Sequence, residues 1–297
     1  MTRLFLRNVV SRLRIMVALV ALAGVLAGCS AVRFGYNQAP ELVFWWLDGY
    51  ADFDDAQARR TRDRLEQWFA WHRRTQLPDY AELLVRARAD VLADTSPDRV
   101  CRWWAELRRR GERAVDEMLP YAAELIPTLT ARQLAHVEQR YARLNEEFRS
   151  DFLNPDPAKR RERAVERTLD RVEILYGPLD DAQRALVESL LEASPFDAET
   201  WHAERLQRQQ ETLQMLRRLS GESASRDAAL AALRAQVERV SRSPREGYRR
   251  YQERLQTYNC SFVASLHNST TLAQRQAAAA KLKGWETDLR ALAATPD

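Results

Sequence analysis

Four times in this chain, an aspartate or threonine stands three residues before a glutamine. The four segments are Asp54-Asp55-Ala56-Gln57, Thr130-Ala131-Arg132-Gln133, Asp180-Asp181-Ala182-Gln183 and Thr271-Leu272-Ala273-Gln274. At this spacing the first side chain accepts from the backbone amide of the glutamine, and the glutamine side chain reaches back to the first residue's amide. The sequence therefore predicts four helix starts, each with a capping box.

Ser96-Pro97 and Ser243-Pro244 predict two further helix starts, with proline at the first helical position. Between the starts, apolar residues recur every three or four positions, and the chain has only nine glycines and no Asn-Gly turn. Helices are expected to end or bend at prolines such as Pro78 and Pro120. The predicted fold is all-α, an antiparallel bundle of roughly nine to eleven helices.

Residues 54–72 and 180–202 both open with Asp-Asp-Ala-Gln and close with Trp-His, which suggests an internal duplication. The least structured break is expected between Leu219 and Arg226. We expect four regions: a signal peptide at 1–28, a lipid-anchored tether at 29–40, a helical body at 41–220, and a C-terminal part at 221–297. The last is predicted to hold two helices that pack on the body.

The first 25 residues carry four arginines and then a mostly apolar run from Ile15 to Val25, as in a secretory signal. The run is short for a transmembrane helix, which needs about 20 residues. Leu26-Ala27-Gly28-Cys29 resembles the bacterial lipobox. That resemblance implies cleavage before Cys29, acylation of Cys29 and, because Ser30 is not aspartate, the periplasmic face of the outer membrane. The alternative is a signal anchor with an incidental cysteine.

The formal charge of +4 does not indicate a nucleic-acid partner. Without the four arginines of residues 1–28, the chain has 42 basic and 42 acidic side chains. The excess positive charge therefore belongs to the targeting segment, and we expect no nucleic-acid binding.

Leu42, Trp45, Trp46 and Tyr50 follow the expected anchor at helical spacing. Such a stripe can lie in the membrane interface, where Trp and Tyr are favoured, or pack in the core. We favour the core, because Leu42 and Leu47 extend the stripe.

Cys101 and Cys260 are the two thiols that remain after lipidation of Cys29. An exported protein folds in an oxidising compartment, so we expect a disulfide between them; the alternative is two buried free thiols. No Cys-x-x-Cys occurs, so a metal would need other ligands.

Catalytic and metal-binding motifs are weak throughout. Glu199 and His202 match the Glu-x-x-His element of di-iron bundles, but the other three histidines lack a glutamate three residues earlier. Nucleophile-elbow, zinc-protease and phosphate-loop motifs do not occur. We therefore expect no enzyme, no cofactor and no metal.

Four aspartates lie close together at Asp48, Asp52, Asp54 and Asp55. They lack the glycine and final glutamate of a calcium loop, and Asp54 is expected to cap a helix. A hydrolase using Asp48, Asp52 or His202 is the enzymatic alternative.

The chain resembles an uncharacterised family of proteobacterial lipoproteins. The resemblance covers nearly the whole chain and implies no activity. Its marks are the lipobox, Tyr36-Asn37, Trp45-Trp46-Leu47-Asp48, Tyr50, the Asp54–Gln57 box and Leu266-His267-Asn268-Ser269-Thr270-Thr271.

Leu129-Thr130-Ala131-Arg132-Gln133 is similar to the Leu-Thr-x-x-Gln motif of Spy/CpxP-type periplasmic chaperones. From sequence we thus expect a lipid-anchored periplasmic binding or structural protein, held at the membrane through Cys29, with an unidentified envelope protein as partner. The alternative is a chaperone or envelope-stress sensor that holds unfolded clients.

Overall fold

The computed structural model describes residues 31–221 and 224–295, and within these ranges the chain forms ten α-helices, one short 3₁₀ helix and no strand. The helices are α1 (Ala31–Ala51), α2 (Asp55–Asp90), α3 (Pro97–Leu125), α4 (Ala131–Phe152), α5 (Pro157–Tyr176), α6 (Asp181–Glu192), α7 (Ala198–Gly221), α8 (Arg226–Ser241), α9 (Glu246–Asn268) and α10 (Leu272–Ala294), with the 3₁₀ helix at Ile126–Thr128. The all-α prediction, including the number of helices, is confirmed.

The helix starts follow the capping signals. Capping boxes form at all four predicted places, at the first residues of α2, α4, α6 and α10. Ser96 caps α3, with Pro97 as its first residue. The start predicted at Ser243-Pro244 is wrong, since α9 begins at Glu246. Ser243 is instead fully buried, and its hydroxyl accepts from the Arg245 amide at 3.2 Å in the turn before α9.

Two prolines that were expected to end or bend helices lie inside long ones. α2 continues through Pro78 and α3 through Pro120. A proline removes one helical hydrogen bond, but Leu77 and Ala81 beside Pro78 are completely buried. Packing on both sides of the proline thus holds α2 together over 36 residues, about 54 Å at the α-helical rise.

The most extensive helix pair is α2 with α10. The two run antiparallel, because Glu82 pairs with Arg290 and Arg88 pairs with Glu286, which lies earlier in α10. Between them Val91 packs on Ala278 in one core cluster. The C-terminal helix is therefore built into the first half of the chain.

α3 is the centre of a second group, in which it packs against α8 and α9. Its C-terminal part, with Leu119 and Ala123, forms a core cluster with Met215 of α7 and Leu233 of α8. Farther along, Cys101 of α3 and Cys260 of α9 form a disulfide across 159 residues, with their Cα atoms 5.4 Å apart. The predicted disulfide is confirmed.

The aromatic stripe near the N-terminus is not in the core, contrary to our interpretation. Leu42, Trp45 and Trp46 are each about 60 % exposed (60, 59 and 59 %), whereas Phe44 is 2 % exposed. Phe44 packs with Leu65 and Phe69 of α2. The reason is that α1 is apolar on two sides, and the side that carries Phe44 faces the body.

The structure differs from the sequence-based expectations in the predicted tether, the C-terminal part and the suggested duplication. Residues 31–40, predicted as part of the tether, form the first half of α1. Three helices, not two, follow Gly221. The suggested copies differ in structure, because 55–72 lies in one continuous helix whereas 181–202 contains the break between α6 and α7.

Candidate functional site

A groove with a volume of about 1300 Å³ lies between α3 and α9. α5 and the ends of α6, α7 and α8 complete its walls. We call it the α3–α9 groove; its lining includes Val100, Trp104, Arg108, Glu112, Thr168, Arg171, Leu191, Trp201, Glu238, Arg242, Arg249, Glu253, Leu255, Cys260, Phe262 and Val263.

Large apolar side chains are exposed in this groove. Trp104 of α3 is 53 % exposed, Val263 of α9 is 48 % exposed, and Trp201 of α7 is 36 % exposed. Cys260 also lines the groove, so the disulfide to Cys101 fixes its two main walls to each other. The groove is thus a preformed surface on which a partner can bury apolar area.

Charges of both signs surround these apolar residues. Arg108 pairs with Glu112 on α3 at 3.6 Å, and Arg249 donates to the backbone carbonyls of Ser243 and Pro244 at 2.8 Å. This combination of aromatic residues and arginines is characteristic of protein–protein interfaces. None of the four histidines lines the groove.

The aspartates near α2 serve the local backbone. Asp48 accepts from the Phe53 amide at 2.9 Å, and Asp54 accepts from the amides of Ala56 and Gln57, both at 2.9 Å. Asp52 has a positive φ of 48°, and its carboxylate pairs with Arg132 at 2.5 Å. Asp48, Asp52 and Asp54 thus each hold the turn between α1 and α2 or its contact with α4.

His202 lies elsewhere, buried between α7 and α4. Its ring stacks on Phe148 with centroids 5.4 Å apart and an 8° angle between the planes, and its Nε2 atom has no hydrogen-bond partner. Within residues 31–221 and 224–295, no group of three or more His, Cys, Asp or Glu side chains is arranged to hold a metal ion. The structure therefore does not bring His202 together with Asp48 or Asp52.

Two of the sequence segments that carry the family resemblance form contacts between helices. The Tyr36 hydroxyl hydrogen-bonds to Nδ1 of His72 at 2.9 Å, and Asn37 accepts from Arg73 at 3.2 Å, so Tyr36-Asn37 attaches α1 to α2. Burial lowers the pKa of His72 to about 4. The imidazole is therefore neutral at pH 7, and its Nδ1 and the tyrosine hydroxyl share one hydrogen bond.

The second of these segments, Leu266–Thr271, packs against the C-terminal end of α2. His267 contacts the Tyr176 hydroxyl through Nδ1 at 2.7 Å and the Ala93 carbonyl through Nε2 at 2.8 Å. Asn268 exchanges two hydrogen bonds with the backbone of Thr95, at 2.9 and 3.0 Å. This segment therefore joins α9 to the loop after α2. Trp45 and Trp46 also carry the resemblance, but both side chains are exposed.

The sequence did not reveal that the capping glutamines form pairs. In the first pair, Gln133 donates to the Gln57 side chain at 2.6 Å and Gln57 donates to that of Gln133 at 3.3 Å. In the second, Gln183 and Gln274 donate to each other at 2.7 and 2.9 Å. Each box predicts a helix start, but nothing local in the sequence says which starts meet.

Cys29, the predicted lipidation site, lies outside the described residues, the first of which is Ala31 in α1. No helix in the described ranges is both long and apolar enough to pass through a bilayer.

Comparison with known proteins places the chain in a family. No curated protein and no solved structure matches it. Residues 49–241 match a family of unknown function, DUF6279, over most of the helical body. The chain belongs to this DUF6279 family.

Proposed function

We propose that this protein is a lipid-anchored binding protein on the periplasmic face of the outer membrane, and that it binds an envelope protein in the α3–α9 groove without catalysing a reaction. The observation that carries the proposal is the exposure of Trp104, Trp201 and Val263 in a groove whose walls a disulfide fixes. Buried aromatic anchors contribute most of the affinity in protein interfaces.

The lipid anchor would assist binding by confinement. The lipobox resemblance at Leu26–Cys29 predicts acyl chains on Cys29, which hold a protein stably at a membrane. Confinement raises the local concentration of the groove near a partner in the same membrane. Replacement of Cys29 by alanine should abolish metabolic palmitate labelling; normal labelling of that variant would remove the anchoring part of the proposal.

The absence of catalysis is part of the proposal and is supported by where the candidate residues lie. Asp48 and Asp52 bond to the turn after α1 and to Arg132, and His202 stacks on Phe148 in the interior.

Site-specific cross-linking in intact cells tests the groove. A photoreactive phenylalanine at Val263 should give an adduct of one discrete mass, and Trp104→Ala should reduce its yield several-fold. The matched control is the same probe at Leu272, which is 67 % exposed but outside the groove. Equal yields of the same adduct from both positions would show that the groove does not select the partner.

A chaperone of the Spy/CpxP type is the second candidate, and the same exposed apolar groove favours it. The Leu-Thr-x-x-Gln similarity adds no support, because the side chains of Thr130 and Gln133 form a capping box and Gln133 also pairs with Gln57. The motif therefore has a structural explanation. The soluble form, residues 30–297, should suppress aggregation of a reduced model client at stoichiometric ratio if it is a chaperone. A lack of suppression removes this candidate and leaves the specific-partner proposal.

A further inference from the structure

α1 has two apolar sides, and the body covers one of them. Phe44 faces inward and packs with Leu65 and Phe69. On the other side, four large apolar residues are exposed by 59 to 66 %: Phe34, Leu42, Trp45 and Trp46. At 3.6 residues per turn, these four fall within an arc of about 120°. We call this arc the outward face of α1.

The outward face is nearly free of charge. The other exposed residues within the arc, Ala31, Gln38 and Gly49, are uncharged. Glu41 lies at its edge, where its carboxylate pairs with Arg62 at 3.4 Å. A contiguous apolar patch on a protein surface marks a place where a protein, a ligand or a membrane binds. The outward face therefore needs an apolar surface to cover it.

The position of α1 identifies that surface. Ala31 comes two positions after Cys29, and two residues of extended chain reach at most about 7 Å. Phe34 follows one helical turn later. If Cys29 carries acyl chains, as the proposed function requires, the start of α1 has to lie at the bilayer surface.

α1 also cannot detach from the body and turn alone. The Tyr36–His72 hydrogen bond and the Asn37–Arg73 contact attach its first half to α2, and Phe44 anchors its second half. The exposed side is therefore fixed relative to the whole molecule. α1 is not long and apolar enough to cross a bilayer, so a position along the membrane surface remains. Trp is favoured in that region, and interfacial helices bury one apolar face there.

We propose that the outward face of α1 lies in the interface of a phospholipid bilayer, so that the body is held directly on the membrane rather than at the end of a tether. This inference rests on the proposed lipid anchor, which selects the membrane over a second copy of the chain as the covering surface.

Fluorescence quenching by brominated phospholipid tests the proposal on the native protein. The chain has eight tryptophans. The full-length protein is expressed in its host, purified from membranes and reconstituted in phosphatidylethanolamine/phosphatidylglycerol vesicles with or without the brominated lipid. Trp45→Phe/Trp46→Phe removes the two tryptophans of the outward face, and the matched control Trp104→Phe/Trp201→Phe removes two exposed tryptophans of the groove.

Wild type and the groove control should be quenched by the brominated lipid, and quenching should fall at least threefold in Trp45→Phe/Trp46→Phe. Equal quenching of the two variants, or none in the wild type, would overturn the proposal. Absence of quenching together with dimers in detergent that Trp45→Gln/Trp46→Gln dissociates would assign the face to a second copy instead.

The mass of the N-terminal peptide from the same samples separates this inference from the anchor. Acylated protein without quenching contradicts membrane contact of α1 and leaves the anchor in place. Quenching of protein that carries no acyl chain supports the contact and contradicts the anchor.

Discussion

Gln57 and Gln133 lie 76 residues apart, and their side-chain amides donate hydrogen bonds to each other. Each also donates to a backbone carbonyl two residues before the other's N-cap: Gln57 to Thr128 and Gln133 to Asp52, both at 3.0 Å. Each side-chain oxygen accepts from its own N-cap amide, at 3.1 and 2.9 Å. Two helix starts are thus locked together by one pair of buried amides.

Gln183 and Gln274 repeat this arrangement at the starts of α6 and α10. Gln183 donates to the Ser269 carbonyl at 3.0 Å and Gln274 to that of Pro178 at 2.9 Å, again two residues before the partner's N-cap. The internal similarity of the chain therefore lies in two pairs of helix starts, rather than in the Trp-His ends of the suggested copies.

Removal of one glutamine should destabilise the protein strongly. In Gln133→Leu, the amide of Gln57 and the Asp52 carbonyl lose partners in a buried site, and each unsatisfied group costs about 1–3 kcal/mol. We expect a total loss of roughly 2–4 kcal/mol in urea unfolding. Gln67→Leu, at an exposed position of α2, is the control and should change the free energy of unfolding by less than about 0.5 kcal/mol.

The double variant Gln57→Leu/Gln133→Leu should cost less than the sum of the two single substitutions, because the unsatisfied partner is removed as well. Strict additivity in this cycle would mean that the two amides do not act as a pair.

Local features of the fold could be predicted from the sequence, because capping boxes and apolar periodicity involve neighbouring residues. Pairings between distant segments could not be predicted, since Gln57 and Gln133 come into contact only through the packing of the whole bundle. The disulfide was predictable because Cys101 and Cys260 are the only cysteines besides Cys29, the predicted lipidation site.

Among the elements of the candidate site, the α3–α9 groove was invisible from the sequence. It is built from six helices, and Trp104 and Val263 follow the same helical spacing as core residues do. For the same reason, periodicity could not decide which apolar side of α1 faces the body, and it favoured the wrong one for Trp45 and Trp46.

The disulfide should contribute substantially to stability. Cys101→Ser/Cys260→Ser opens a loop of 159 residues, and the chain-entropy model gives a loss of about 4–5 kcal/mol. Urea unfolding of the oxidised wild type, the reduced wild type and the variant measures this. Reduction should shift the wild-type midpoint close to that of the variant. Identical midpoints for all three samples would show that the bridge does not constrain the unfolded chain.

His72 should make the fold sensitive to mild acid. Its pKa is about 4 in the folded state, because burial disfavours the imidazolium, against an ordinary value of 6.5. The unfolded chain therefore binds a proton first, and stability should fall as the pH drops from about 6.5 to 4. Allowing for partial solvent contact, we expect a loss of roughly 1–2 kcal/mol.

The measurement for His72 is the free energy of unfolding of wild type and His72→Gln at several pH values. The difference between the two proteins should shrink toward pH 4, because only the wild type loses the His72 contribution. A difference that is constant over this range would contradict the assignment.

The fold should depend on Arg245, because this side chain neutralises the buried carboxylate of Glu204. Glu204 is 4 % exposed and accepts from Arg245 at 2.5 and 2.8 Å. Burial alone would raise the pKa of Glu204, but hydrogen bonds from Arg245 and Ser243 outweigh it and hold the pKa below its ordinary value. The pair therefore stabilises the fold above the ordinary pKa of a glutamate, and this contribution disappears as the pH falls through the lowered one.

In Arg245→Met, the Glu204 carboxylate keeps Arg208 but loses its main partner, and we expect a loss of about 3 kcal/mol at pH 7. Glu204→Gln/Arg245→Met should recover part of this loss, because the side chain at position 204 is then neutral, while Glu211, which also pairs with Arg245 at 2.6 Å, loses that partner in both variants. If the single and double variants were equally unstable, the loss would not come from the unpaired Glu204 carboxylate.

The proposed membrane location depends most on the residue that begins the mature protein. Mass spectrometry of the N-terminal peptide, from protein purified out of the membranes of its own host, tests this directly. We predict a peptide that starts at Cys29 and carries a diacylglycerol thioether and an amide-linked acyl chain. A peptide that starts at Met1 and carries no fatty acid would contradict lipid anchoring through Cys29.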